Sequence, residues 1–239
     1  MISDKTGLQT LQVIAKADKF NKWMYQTIRP YLKGEILEIG SGIGNISKYV
    51  IQDNLSITLS DYNAEYCAFL KNEYGVFLNV RRIISIDLQD KNFFKNYASL
   101  KGKFDSIFLL NVIEHLREDD KAVEFCNFLL NKKGHLILLA PAYQGLFCPL
   151  DKELGHYKRY TAKEMTYLLK QNSLKIISSK YFNFLGITGW LLYGKIFKQH
   201  SLRQNEMSIY NKLVPLAKIL DKLILEKFGL SVVTVAEKN

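Results

Sequence analysis

Five short apolar or β-branched runs, each followed by a longer amphipathic stretch, dominate residues 35–140, and nothing else in the chain restricts its fold as tightly. The runs are EILEI (35–39), SITLS (56–60), VRRIIS (80–85), FDSIFLL (104–110) and GHLILLA (134–140). The stretches between them read as helices near 44–52, 62–74, 91–100 and 119–131. A strand followed by a helix does not turn back on its neighbour as a hairpin. The helix carries the chain across, so the regular solution is a parallel sheet with helices on both faces. With 239 residues, 48% hydrophobic and 23% charged, the chain is long enough to cover such a sheet with one core.

The flanks add to this α/β, Rossmann-like plan. Residues 8–32 read as one or two helices with an apolar stripe of Leu11, Ile14, Phe20, Trp23, Met24 and Ile28, closed by Pro30 and Gly34. Residues 1–33 therefore form a helical cover, and 34–239 the main domain. After the fifth run comes a proline-bearing loop, then Thr161 with Glu164 three residues later, a capping box that opens a helix. LKIISSKYFNF (174–184) reads as a sixth strand and LSVVTVAEK (230–238) as a seventh. The intervening residues, about 185–230, far exceed a hairpin connection and are helical and amphipathic in pattern, which predicts a helical insertion.

Charge is unevenly spread. The net is +10, and residues 152–239 hold 15 Lys/Arg against 6 Asp/Glu. Such an excess suits an anionic substrate, an acidic membrane surface or nucleic acid, or is a solvated lysine-rich face. The first residues show neither the apolar region nor the cleavage pattern of a secretory signal, and no apolar run is of membrane-spanning length, so the expectation is an intracellular, cytoplasmic protein. Cys67, Cys126 and Cys148 have no paired spacing and suggest neither a disulfide framework nor a zinc site.

The first run leads into Gly40, Gly42 and Gly44, a turn in which the backbone can approach a ligand with no Cβ in between. A dinucleotide site more usually spaces its glycines as G-x-G-x-x-G. Here the third glycine comes one position early, and Glu38 precedes the turn, where a carboxylate repels pyrophosphate and suits an ammonium group. Asp61 follows the second run and can accept the hydrogen bonds of a ribose diol. Asp87 follows the third and can accept from an adenine amino group; Tyr62 and Leu88 are the adjoining residues. The fourth ends in LLNVIEHL, placing Asn111 and Val112 at the rim, with Glu114 and His115 behind them. Four strand ends thus offer polar groups to one crevice, the usual ligand site of an open α/β sheet.

In the order and spacing of the E-x-G-x-G-x-G turn, Asp61, Asp87 and FDSIFLLNVIEHL, the sequence resembles the class I S-adenosylmethionine-dependent methyltransferases over roughly residues 34–183 and the last strand. The resemblance implies a seven-stranded sheet whose last strand is antiparallel and inserted between the fifth and sixth. It also implies S-adenosylmethionine as cofactor, held by Glu38, Gly40, Gly42, Gly44, Asp61, Tyr62, Asp87, Leu88, Asn111 and Val112. Within that family, APAYQGLFCPLDKELGHYKRYT resembles a bacterial subgroup with a Gly-His-x-Arg-Arg-Tyr-Thr loop, whose members are often associated with surface glycans or secondary metabolites. That implies a small-molecule or lipid-linked acceptor. Lys158 stands where the subgroup has its first arginine, keeping charge and losing a planar fork.

Methyl transfer to an oxygen acceptor needs a group that strips the acceptor's proton. His156 is the candidate base and Asp151 the acid that could orient it. Arg159 and Tyr160 could anchor an anionic or aromatic acceptor, or Arg159 could pair with Asp151; His115 reads as a brace. Trp23 and Tyr25 could lie over the cofactor or pack in the core. No His/Asp/Glu cluster in the linear sequence argues for a metal. The 185–230 insertion could touch a membrane interface, or bury its apolar face as a lid or dimer contact. Alternatives remain: an RNA methyltransferase using the basic C-terminal third, although it lacks the Asn-Pro-Pro-aromatic motif; an NAD-dependent oxidoreductase; or a non-catalytic binding scaffold.

Overall fold

The structure is a computed structural model that describes residues 5–192 and 204–239. Two helices, α1 (Lys5–Ala15) and α2 (Asp18–Ile28), lead into β1 (Ile36–Ile39) and α3 (Ser47–Gln52). There follow β2 (Ile57–Asp61), α4 (Ala64–Tyr74), β3 (Val80–Ser85), α5 (Phe93–Asn96), β4 (Phe104–Leu110), α6 (Asp119–Leu129) and β5 (Leu130–Pro141). The chain ends with α7 (Pro149–Glu153), α8 (Ala162–Gln171), β6 (Leu174–Phe182), α9 (Phe184–Trp190), α10 (Gln204–Leu223) and β7 (Ser231–Lys238).

The seven strands form one sheet in the order β3-β2-β1-β4-β5-β7-β6. All neighbours from β3 to β5 are parallel. β7 runs antiparallel between β5 and β6, with Leu138 opposite Thr234 and Tyr181 opposite Val232. This is the topology the resemblance implies. Because β1 connects to β2 on one side while β4 lies on the other, the strand order reverses at β1/β4, and the crevice opens above their carboxyl ends.

Side-chain alternation sorts the strands' residues into two cores, one per face. Leu37, Ile39, Ile107, Leu109, Leu136 and Leu138 meet Phe93, Phe125 and Met165 on one side. Ile36, Phe108, Ile137 and Leu139 meet Ile28, Val50 and Leu70 on the other. With both faces covered, the central strands have no polar face, which is why their runs read as continuous apolar segments.

Several boundaries depart from the sequence expectation. The helix predicted from residue 44 begins at Ser47, because Gly42 and Gly44 sit at φ +54° and +83°, outside the right-handed helical region. The 91–100 helix splits into α5 and a 3₁₀ turn at Ala98–Leu100. The 119–131 helix ends at Leu129, since Leu130 is extended and already pairs with Phe104 in β5. The insertion is helical where described, as α9 and α10; its residues 193–203 lie outside the described residues.

The N-terminal helices tie the insertion to the sheet. The Trp23 ring lies 4.3 Å from that of Phe182, and the Phe20 amide donates to Asn211 Oδ1 at 3.1 Å. Tyr25 stacks on Tyr49 and donates to Asp53. Both aromatic residues that could have lain over the crevice, Trp23 and Tyr25, are therefore core residues. Leu11 of α1 takes that position instead: its carbonyl accepts from Asn45 Nδ2 at 3.0 Å, and its side chain abuts Gly42. Among the described residues, no helix is long and apolar enough to cross a membrane.

Candidate active site

The crevice floor is backbone. After β1 the Gly40 and Ser41 amides both donate to the Ser60 carbonyl at 2.9 Å, and the Gly44 amide donates to the Ser41 carbonyl at 2.8 Å. Gly40 has φ +77°, and a Cβ there would lie 2.4 Å from Val112 Cγ2. The glycine is needed for conformation and for close approach at once, and the β4 loop is thereby pressed against the turn.

Asp61 is buried at the end of β2, its Oδ2 accepting from the Gly42 amide at 2.9 Å and its Oδ1 from the Asn63 amide at 3.0 Å. Glu38 is 4% exposed and accepts from the Ser47 hydroxyl. Burial pushes its carboxyl up to about 7, against the pull of Ser47 and Ser41 and with Asp61 adding to the rise. Asp87 Oδ1 accepts from the Gln89 amide at 2.8 Å, Leu88 is buried, and Tyr62 is 68% exposed. Asn111 turns the chain at φ 56°, its amide donating to the Leu139 carbonyl at 2.8 Å. The residues singled out in the sequence thus gather along the carboxyl ends of β1, β2, β3 and β4.

The loop after β5 brings a second set of groups, mostly buried side chains, to the same end of the sheet. Gly155, at φ +76°, turns the chain after α7, and the residues behind it each meet a partner. His156 Nδ1 lies 2.8 Å from Asp151 Oδ1. Arg159, 2% exposed, grips the same carboxylate with Nε at 3.0 Å and Nη2 at 3.1 Å, and its guanidinium lies 4.5 Å from the Trp190 ring centroid. Burial alone would raise the Asp151 carboxyl; the His156 hydrogen bond and the Arg159 charge more than offset it and hold it below the usual value. Tyr160 donates to Asp119 Oδ2 at 2.9 Å, Lys158 pairs with the same oxygen at 2.6 Å, and Thr161 caps α8 in a capping box with Glu164. Of the two readings of Arg159, the pairing with Asp151 is the one realised. Tyr160 is likewise spent inside the protein, so neither side chain stands open to anchor an acceptor.

Sequence reading overlooked the role of Glu114. It is 0% exposed, and neither carboxylate oxygen has a hydrogen-bond partner. Burial pushes its carboxyl up to about 8, opposed by its own backbone N–H and by Arg159. His156 Nε2 lies 4.0 Å from Glu114 Oε1, and the His115 and His156 rings meet edge to face with centroids 4.7 Å apart. Glu114, His115 and His156 bring three potential metal donors within 4.8 Å of one another, which corrects the view that the chain holds no such cluster. Some 40 residues separate its members, so no spacing rule finds it. The available signal was an acid embedded in an apolar run.

Comparison with known proteins bears on the domain and the fold. Residues 37–136 match a family described as a methyltransferase domain. A probable polyketide synthase of Dictyostelium discoideum is 24% identical over 182 residues, covering 66% of this chain but 7% of that protein, so the chain spans a small part of this relative. Among solved structures, an S-adenosylmethionine-dependent methyltransferase from Archaeoglobus fulgidus superposes with a TM-score of 0.58 at 15% identity, covering 91% of this chain and 94% of that one. A phosphoethanolamine N-methyltransferase of Haemonchus contortus, bound to phosphomonomethylethanolamine and S-adenosylhomocysteine, gives 0.61 at 16% identity, with 98% and 59% covered. Residues 37–136 thus match a methyltransferase domain, and the fold of the chain is that of the S-adenosylmethionine-dependent methyltransferases.

Proposed function

We propose that the protein methylates a hydroxyl group on a small-molecule or lipid-linked acceptor, in the manner of the bacterial Gly-His-x-Arg-Arg-Tyr-Thr subgroup that its loop resembles. S-adenosylmethionine, when bound, supplies an electrophilic methyl on a sulfonium. The crevice fits this ligand chemically. Asp61 and Asp87, with Glu38 buried behind the turn, give it an acidic lining, favourable to a cationic ligand and unfavourable to pyrophosphate, and Asp61 stands at the end of β2 where a ribose diol would lie. Glu38, the glycines, Asp61, Tyr62, Asp87, Leu88, Asn111 and Val112 are the residues that would hold it.

The observation that carries the acceptor side is the Asp151–His156 pair. Asp151, itself fixed by Arg159, holds the imidazole with its proton on Nδ1. That leaves the Nε2 lone pair as the atom through which the acceptor is deprotonated. A lipid-linked acceptor is supported by α10, which exposes Ile209, Leu213, Leu216 and Leu223 beside Lys212 and Lys222, an apolar ridge edged with positive charge suited to an anionic bilayer surface.

The test is His156→Ala. Turnover of a hydroxylated acceptor falls by about 10²- to 10⁴-fold while S-adenosylhomocysteine affinity, read by calorimetry, stays unchanged. Undiminished turnover across the pH range would assign His156 to holding the loop.

A further inference from the structure

The Glu114–His115–His156 cluster has a chemistry that deprotonation by an imidazole alone does not use. We propose that these three side chains form a binding site for a divalent first-row transition-metal cation, such as Mn²⁺ or Zn²⁺, at the acceptor side of the crevice.

Four observations lead there. The first is the donor set: two imidazoles and one carboxylate with their ligand atoms within 4.8 Å of one another, the two-histidine, one-carboxylate composition that transition metals take with positions left open. Ligand bonds of about 2.0–2.2 Å require donors about 3–4 Å apart, so the groups need shift by no more than about 1 Å. The second is Glu114: a carboxylate at 0% exposure whose two oxygens lack any hydrogen-bond partner is an uncompensated buried group aimed at the cluster.

The third is charge balance. Arg159, the cation within reach, is committed to Asp151 through two hydrogen bonds, and that carboxylate offsets part of its pull on Glu114, which has no hydrogen-bonded countercharge of its own. A bound cation supplies the missing countercharge. The fourth is the support behind His156. Metal-ligating histidines characteristically donate their other ring N–H to a carboxylate, and Asp151 holds His156 Nδ1 at 2.8 Å, leaving Nε2 to face Glu114 at 4.0 Å.

The site lies on the loop that follows β4, two residues beyond Val112, which touches Gly40. A cation there would lower the pKa of an acceptor hydroxyl, whose proton then passes to solvent; in the cation-bound protein this replaces deprotonation at His156 Nε2, whose lone pair is then a ligand. That role in turnover rests on the proposed function. The existence of the site does not.

The experiment is a titration of MnCl₂ into chelator-treated full-length protein, followed by calorimetry and by the Mn²⁺ electron paramagnetic resonance signal. The result expected is one Mn²⁺ per chain, with Glu114→Gln and His115→Ala each weakening binding at least about 10-fold and Mg²⁺ binding at least about 10-fold more weakly than Mn²⁺. A melting curve on each variant confirms that it is folded. If one fails to fold, the wild-type stoichiometry and its preference for Mn²⁺ over Mg²⁺ still decide. Absence of stoichiometric binding, equal binding in the folded variants, or a preference for Mg²⁺ overturns the proposal. S-adenosylhomocysteine titrated into the same metal-free protein separates the two readings: no binding there would remove the methyl-transfer function, whereas the cation site stands or falls on Mn²⁺ alone.

Discussion

The two sides of the sheet's carboxyl end are made of different material. On the β1–β2 side the structural parts are backbone: a turn at positive φ whose amides are satisfied by Ser60 and Asp61. On the side of the loop after β5 they are buried charged side chains, with Asp151, Arg159, His156 and Glu114 held against one another. A backbone wall fixes a ligand whose identity is constant, and it is rigid because the sheet beneath it is rigid. A side-chain wall can be re-specified residue by residue, which suits the acceptor side of the proposed reaction.

The comparison predicts separable failures. Replacing Arg159 with Leu leaves the Asp151 carboxylate buried without its main countercharge, and stability in urea falls by about 3–5 kcal/mol while S-adenosylhomocysteine affinity of the folded protein holds. If affinity falls as steeply as stability, the two sides are one unit and the distinction fails. On the other side, Asp61→Ala weakens S-adenosylhomocysteine binding by about 1–3 kcal/mol, as measured by calorimetry. Part of that loss comes from releasing the Gly42 amide, so Asp61→Asn, which keeps an oxygen acceptor, recovers some of it.

The smallest effect is on pH dependence. Because burial lifts the Glu38 carboxyl to about 7, the folded protein holds a proton that the unfolded chain loses near the ordinary carboxylate value. Its contribution to stability is complete below the unfolded value and is lost as pH rises through about 7. Ligand-free wild type therefore loses melting temperature more steeply between about pH 5 and 8 than Glu38→Gln, which stays neutral throughout. Parallel profiles would mean that Glu38 is ionised in the folded protein.

The same contrast explains what the sequence revealed. The glycine turn, Asp61 and Asp87 were legible because each lies within a few residues of a strand end, and strands announce themselves by period and composition. The sheet order was not: parallel neighbours and the antiparallel β7 have the same local pattern, and the resemblance supplied that order. Arg159 could be read equally as an anchor or as a partner of Asp151, since sequence separates the alternatives only once α7 fixes where Asp151 points. Glu114 stayed without a role because its meaning depends on His156, brought to it by a turn at Gly155 rather than by spacing.

The most direct measurement is calorimetric titration of the purified protein with S-adenosylhomocysteine and, separately, with NADH. An acid-lined crevice over a tight glycine turn predicts one S-adenosylhomocysteine bound per chain and no NADH binding, with the His156→Ala protein giving the same S-adenosylhomocysteine isotherm as wild type. Binding of NADH in place of S-adenosylhomocysteine, or of neither, would contradict it.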